Sequence, residues 1–231
     1  MTITSSSRSP RGPARAAPAW SADPYTRALR AGGGPLYLRC PDGRRLPLEV
    51  ERWCAGPDAA DRTVLGRCTG RVLDIGCGPG RMVTALARMD RPVLGIDTVP
   101  AAVERTRRRG GPALLRSVFG DVPGAGRWRS VLLVDGNIGI GGDPAALLTR
   151  IRELTAPGGV LVAEASHGEA GLDERFEVRL DDGSGDTGPA FPWARLGQDA
   201  LRDRAERTGW VTAGLWTAHG RSFVALRNGS H

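Results

Sequence analysis

Between Val72 and Arg81 the chain reads Val-Leu-Asp-Ile-Gly-Cys-Gly-Pro-Gly-Arg. Glycines 76, 78 and 80 after an apolar run let the backbone turn sharply and let a ligand approach it closely. The helix expected next turns its N-terminus toward the same place, where polar groups are favoured. Asp74, two residues before the first glycine, suits either a ligand contact or an anchor for the loop N–H groups. A dinucleotide fold asks for G-x-G-x-x-G, whose third glycine would fall at Arg81, so the G-x-G-x-G spacing points elsewhere. About 20 residues on, the apolar run Val93–Ile96 ends in Asp97, a carboxylate placed for a ribose diol. Farther along, Phe119, Gly120, Asp121 and Val122 follow a third apolar run, although Gly-Asp is also ordinary turn chemistry.

These residues need strands to end on them. Strands are expected at Arg71–Ile75, Val93–Asp97, Ala113–Val118, Val131–Asp135 and Val160–Ala165. The intervening helices are expected at Gly80–Met89, Ala101–Arg109 and Pro144–Leu154, the last capped by Asp143. The apolar runs are continuous rather than alternating, as in parallel strands buried on both faces. A helix over Gln198–Arg207 leads to strands Val211–Thr217 and Ser222–Leu226 around His219 and Gly220. The fold class read from this order is α/β: a doubly wound, Rossmann-like, mostly parallel seven-stranded sheet closed by a C-terminal antiparallel hairpin.

Outside that core, residues 1–19 are rich in Ser, Arg, Pro and Ala and read as a disordered tail. Residues 20–70 read as a cap: a helix capped by Asp23, a hairpin joining Leu36–Arg39 to Leu46–Val50 through Asp42-Gly43, and a helix over Asp58–Arg67. Pro47 places the second arm at a sheet edge. The core then spans 71–231, with an insertion at about 166–193 that holds a strand at Phe176–Leu180 and a loop at Gly183–Pro192.

Composition narrows the function. The net charge is +7, yet the chain has no lysine and its arginines are scattered. That fits GC-rich codon usage better than a built phosphate surface, so nucleic acid is not the expected partner. Cys40, Cys54, Cys68 and Cys77 form no C-x-x-C pair, and no metal site is expected. No run of about 18 apolar residues exists for a membrane helix, and the N-terminus lacks a secretory signal, so cytoplasmic residence is expected.

Asp74-Ile75-Gly76-Cys77-Gly78-Pro79-Gly80 resembles motif I of the class I S-adenosylmethionine-dependent methyltransferases. Gly95-Ile96-Asp97 resembles the ribose-binding acid that follows it, and Gly120-Asp121-Val122 the pair around the adenine. The resemblance covers about residues 71–165 well and the terminal hairpin loosely. With Phe191-Pro192-Trp193 it is similar to a group of bacterial stand-alone methyltransferases. It implies S-adenosyl-L-methionine as cofactor, with Asp74, Gly76, Cys77, Gly78 and Gly80 around its methionine part. Asp97 and Thr98 would meet the ribose, Asp121 and Val122 the adenine, and Asp135 would border the methyl group.

In an open α/β sheet the ligand sits where strand order reverses, here between the strands ending at Ile75 and Asp135. The glycine-rich stretch Asp135–Gly142 borders that point. It lacks the Asp/Asn-Pro-Pro-Tyr motif of enzymes that methylate planar amino groups. Methyl transfer mainly needs alignment in a water-shielded site, with a base only where the acceptor must lose a proton. His167 and His219 are candidate bases, and Asp135 and Asn137 candidate acceptor-orienting groups. Trp20, Tyr25, Trp53, Phe191 and Trp193 are available for a pocket wall or for small cores. The function expected is methyl transfer to a small-molecule acceptor. The alternatives are an RNA methyltransferase, a nicotinamide-dependent reductase, or a non-catalytic cofactor-binding protein.

Overall fold

A computed structural model describes residues 23–168, 170–185 and 187–229. The tail expected at 1–19 and Trp20 lie outside the described residues, as does the side chain of Asp23. Helix α1 (Asp23–Ala31) is followed by strands β1 (Tyr37–Arg39) and β2 (Arg45–Pro47), then by helices α2 (Val50–Cys54) and α3 (Ala59–Leu65). The second arm of the hairpin is shorter than expected, because Val50 starts a helix. Asp58 and Asp61 form a reciprocal capping box that starts α3, each side chain accepting from the other's backbone N–H.

The alternating part is β3 (Val72–Ile75), α4 (Arg81–Arg88), β4 (Val93–Asp97), α5 (Pro100–Arg108), β5 (Ala113–Leu115) and β6 (Trp128–Leu133). A 3-10 segment over Asn137–Gly142, which sequence patterning did not foresee, leads into α6 (Pro144–Leu154). Asp143 caps α6, accepting from the N–H groups of Ala145 and Ala146 at 3.0 and 3.2 Å. Strand β7 (Thr155–Ala165), strands β8 (Asp173–Asp181) and β9 (Phe191–Leu196), helix α7 (Gln198–Arg207) and strands β10 (Trp210–Ala218) and β11 (Arg221–Asn228) complete the chain.

The main sheet has the order β10-β11-β7-β6-β3-β4-β5. Strands β3 to β7 are parallel, and the β10–β11 hairpin joins antiparallel to β7. It is the expected α/β, doubly wound, seven-stranded sheet, mostly parallel, with an antiparallel C-terminal hairpin. Leu147, Leu148 and Ile151 of α6 and Leu201 of α7 bury one face, while Val64 of α3 and Met82 and Leu86 of α4 bury the other. The order reverses between β3 and β6, which opens a crevice at their carboxyl ends.

A second sheet of order β2-β1-β8-β9 pairs the N-terminal hairpin with the strands inserted after β7. Two segments that looked separate are therefore one wall. Pro192, expected in a loop, lies in β9, whose edge position tolerates the missing N–H. The glycine-rich stretch after β6 lets β9 settle on it: a Cβ at Gly139 would stand 2.5 Å from the Ala194 carbonyl and also strike the Trp193 ring, and one at Gly142 would meet Pro192 at 2.5 Å. Gly139→Ala should therefore cost about 1–3 kcal/mol in urea unfolding, the range for overpacking a filled interior.

Candidate functional site

Between the two sheets, above the switch point, lies a cavity of about 630 Å3, within the usual range for small-molecule sites. Its floor is the glycine loop. Gly76, Gly78 and Gly80 have φ of +68°, +53° and +84°, which glycine adopts without strain. Two of them also lack room for a side chain: a Cβ at Gly76 would lie 2.7 Å from the Asn137 amide nitrogen, and one at Gly80 would lie 2.5 Å from Thr106. Only at Gly78 is the space toward the cavity open, the nearest atom being the Tyr25 hydroxyl at 3.4 Å.

Asp97 sits at the tip of β4, buried, on the cavity wall beside Thr98. Its carboxylate accepts from the N–H of Gly78 at 2.9 Å and of Val99 at 2.8 Å, so it braces the loop. A carboxylate offers about four lone-pair sites, which leaves capacity for a ligand. Burial pushes its carboxyl above the ordinary range, and the N–H donors hold it back. Burial, and then the charge of Asp97, raise the Tyr25 phenol well above its usual value.

Asp74 is buried at the back of the loop, and Oδ1 has no hydrogen-bond partner among the described residues. Burial first, and then the charge of Asp135, push its carboxyl up to about 8. Trp53 supplies the complementary orphan: its indole N–H is buried on the same cavity without an acceptor among the described residues. An unmet acceptor and an unmet donor in one cavity suit a ligand that carries both a cation and an anion, such as an amino-acid tail.

Asp135 is a charge node. Its backbone is left-handed, at φ +60°. Its carboxylate lies 2.7 Å from Arg81, 2.9 Å from Arg52 and 3.2 Å from Arg221. Asp61, fully buried, takes the other arms of Arg81 at 2.8 Å and Arg221 at 2.7 Å. Arg221 also grips Glu164 through two bonds of 2.7 Å, and Glu164 accepts from the Asp135 N–H at 2.7 Å. The cluster joins α2, α3, α4, β7 and β11 beneath the cavity. None of these arginines or Glu164 was singled out in the sequence, where each reads as one scattered charge.

Several expected site residues sit otherwise than the sequence suggested. Asn137 does not reach toward an acceptor; its amide donates to the carbonyls of Ile75 and Gly76 at 2.9 and 3.0 Å and clamps the loop. Asp121 is exposed and Val122 is packed in the core, and neither lines the cavity. Strand β5 ends at Leu115, earlier than expected, so Arg116, Ser117 and Val118 take that part of the wall. His219 is exposed in the terminal hairpin, away from the cavity. His167 does line it, with Nδ1 3.2 Å from the Gly220 carbonyl. A carbonyl can only accept, so Nδ1 donates this bond and Nε2 is the ring nitrogen left to meet a ligand. Cys77 is buried in the loop against Gly95, and burial raises its thiol well above the ordinary value, so it serves as a small filler. Tyr25, Trp53, Phe191 and Trp193 both line the cavity and pack a small core with Leu36 and Leu38.

The raised Asp74 carboxyl has a measurable consequence. Folded, it keeps its proton up to about 8, whereas unfolded it ionises near the model-peptide value of about 4. Its contribution to stability is present below the unfolded value and is lost as pH rises toward 8. Urea melts from pH 4 to 8 should show wild type losing roughly 3–5 kcal/mol relative to Asp74→Asn. Parallel curves would contradict the assignment.

Residues 72–159 match the family model described as a methyltransferase domain. A ubiquinone biosynthesis O-methyltransferase from Cereibacter sphaeroides is 34% identical over 97 residues, 40% of this chain and 39% of that protein. The chain thus matches about two fifths of the length of that curated relative. Among solved structures, an S-adenosylmethionine-dependent methyltransferase from Bacteroides fragilis in complex with S-adenosylhomocysteine superposes with a TM-score of 0.73 at 22% identity, covering 90% of this chain and 95% of that one. The Burkholderia thailandensis 1,6-didemethyltoxoflavin-N1-methyltransferase, with 1,6-didemethyltoxoflavin and S-adenosylhomocysteine bound, gives a TM-score of 0.52 at 16% identity, covering 73% of this chain and 75% of that one. Residues 72–159, the segment that matches a methyltransferase domain, carry the glycine loop, Asp97 and strands β3 to β6.

Proposed function

We propose that the protein transfers a methyl group from S-adenosylmethionine to a small-molecule acceptor held under the second sheet. The observation that carries this reading is the cavity itself: a glycine loop braced by Asp97 at the switch point of a methyltransferase domain, with a second sheet on its far side. When bound, the cofactor supplies an electrophilic methyl carbon on a sulfonium. Asp97 holds the ribose diol with the lone pairs its loop bonds leave over. Asp74 Oδ1 and the Trp53 N–H take the ammonium and carboxylate of the methionine part. Thr98, Ser117 and Val118 flank the adenine, in place of Asp121 and Val122. Gly76 and Gly78 bring the backbone close, and Cys77 and Gly80 keep the loop in register.

The chemistry left to the chain is alignment, exclusion of water and acceptance of a proton. Asp135 and Glu164 are occupied by three guanidinium groups, so their oxygens are already engaged. With Asp74 and Asp97 turned to the cofactor, His167 Nε2 is the group on the cavity wall that takes the acceptor's proton. The small-molecule reading also fits the relatives, whose names specify ubiquinone biosynthesis and 1,6-didemethyltoxoflavin.

The basic balance gives little support to an RNA acceptor. Of the arginines near the end of α5, Arg105 donates to the Leu29 carbonyl, Arg107 to Ala113, and Arg109 to Cys54 and Ala55, while Arg108 is exposed beside Glu104. Incubated with a cell extract and labelled S-adenosylmethionine, the protein should label a small extractable product. His167→Ala should lower kcat by about 10²–10⁴-fold, the usual contribution of a positioned base, with S-adenosylhomocysteine affinity unchanged. Label confined to a nuclease-sensitive fraction would overturn the small-molecule reading, and an unchanged kcat would overturn the role of His167.

A further inference from the structure

The cavity is larger than its cofactor-facing floor, and the remaining wall has a distinct chemistry. Leu46 and Leu48 come from the N-terminal hairpin and its exit, Ile140 from the 3-10 segment, and Phe191 and Trp193 from β9. All five are apolar, and the two rings stand edge to face, with centroids 6.1 Å apart and planes at 88°. Ser166, His167 and Arg195 bring polar groups to the cavity near β9, and Glu49 follows Leu48 on its lining. Arg195 is already engaged, with Glu174 at 3.4 Å and with the His167 carbonyl at 3.4 Å.

This wall is also fixed in place. Gly139 and Gly142 leave no space beneath Trp193 and Pro192, and the Ser166 N–H donates to the Leu196 carbonyl at 2.7 Å. Two perpendicular rings packed beside aliphatic side chains on one cavity wall favour a flat apolar body, which matches that surface without burying unpaired polar groups. A sugar, an amino acid or a peptide backbone would bury many donors and acceptors against a mainly apolar wall.

We infer that the acceptor is a flat, largely apolar ring compound seated against Phe191 and Trp193, with its nucleophilic heteroatom at the edge that faces His167. This rests on the methyl-transfer reading but concerns the opposite wall of the cavity from the cofactor, so the two can fail separately. The second sheet is then the specificity element, and Phe191, Trp193 and Leu48 are its determinants.

Saturation-transfer NMR on the full chain, alone and loaded with S-adenosylhomocysteine, tests it with two fragment sets at millimolar concentration. One set holds phenols, anilines, indoles and hydroxyquinolines; the other holds sugars, amino acids and ribonucleoside monophosphates. Ring fragments should give signal and the polar set none. Trp193→Ala and Phe191→Ala should each cut the ring signal at least fivefold. Leu48→Asp, at a half-buried position that disturbs packing less, should do the same while S-adenosylhomocysteine still binds. Equal signals from both sets, ring signals unchanged in all three variants, or no ring signal would each overturn the inference. Failure of S-adenosylhomocysteine to bind, with ring fragments still bound, would instead remove the methyl-transfer reading and leave the ring site standing.

Discussion

Asp135 holds a left-handed backbone and three guanidinium groups at the point where the strand order reverses. The left-handed conformation costs about 1–2 kcal/mol in a non-glycine residue, and the charge-assisted bonds to its carboxylate offset that cost. Arg52 brings the cap helix α2 to this node, Arg81 brings the first turn after the glycine loop, and Arg221 brings the C-terminal hairpin. Removing Arg221 would leave the buried Glu164 without its guanidinium partner, a loss of about 3–5 kcal/mol where such pairs are broken. The cavity floor, the cap and the terminal strands are therefore placed by one shared set of charges. Glycines 139 and 142 do the corresponding work for the far wall by letting β9 rest on the main sheet.

What the chain's own patterning reveals is local. Parallel strands buried on both faces show as Val72–Ile75 and Val93–Ile96, and Asp143 with Pro144 marks the start of α6, because each signal lies within a few residues. The second sheet was not legible, since β1 and β8 pair across more than a hundred residues and neither carries a mark of its partner. Val50 and Phe191 changed element for the same reason: tertiary pairing overrode a short, ambiguous run.

The site divides in the same way. The loop glycines and Asp97 could be recognised because the backbone geometry they serve leaves a pattern. Asp121 and Val122 were expected at the adenine from the family resemblance, yet Asp121 is exposed and Val122 is packed in the core, while β5 stops at Leu115 and Ser117 and Val118 line the wall. Asn137 looked like a group for an acceptor but is spent on the loop carbonyls. Arg52, Arg81, Glu164 and Arg221 are spread over 170 positions, and only the fold shows that they form one cluster.

These arrangements make a cavity with one wall suited to a charged nucleoside cofactor and the other to an apolar acceptor. The chain has no helix among the described residues long and apolar enough to cross a membrane. The most direct test is calorimetric titration of S-adenosylhomocysteine into wild type and Asp97→Ala. The account predicts binding to wild type and a loss of about 1.5–3 kcal/mol in the variant, the range for hydrogen bonds to a charged group. Absence of binding to folded wild type, or equal affinity in the two proteins, would contradict it.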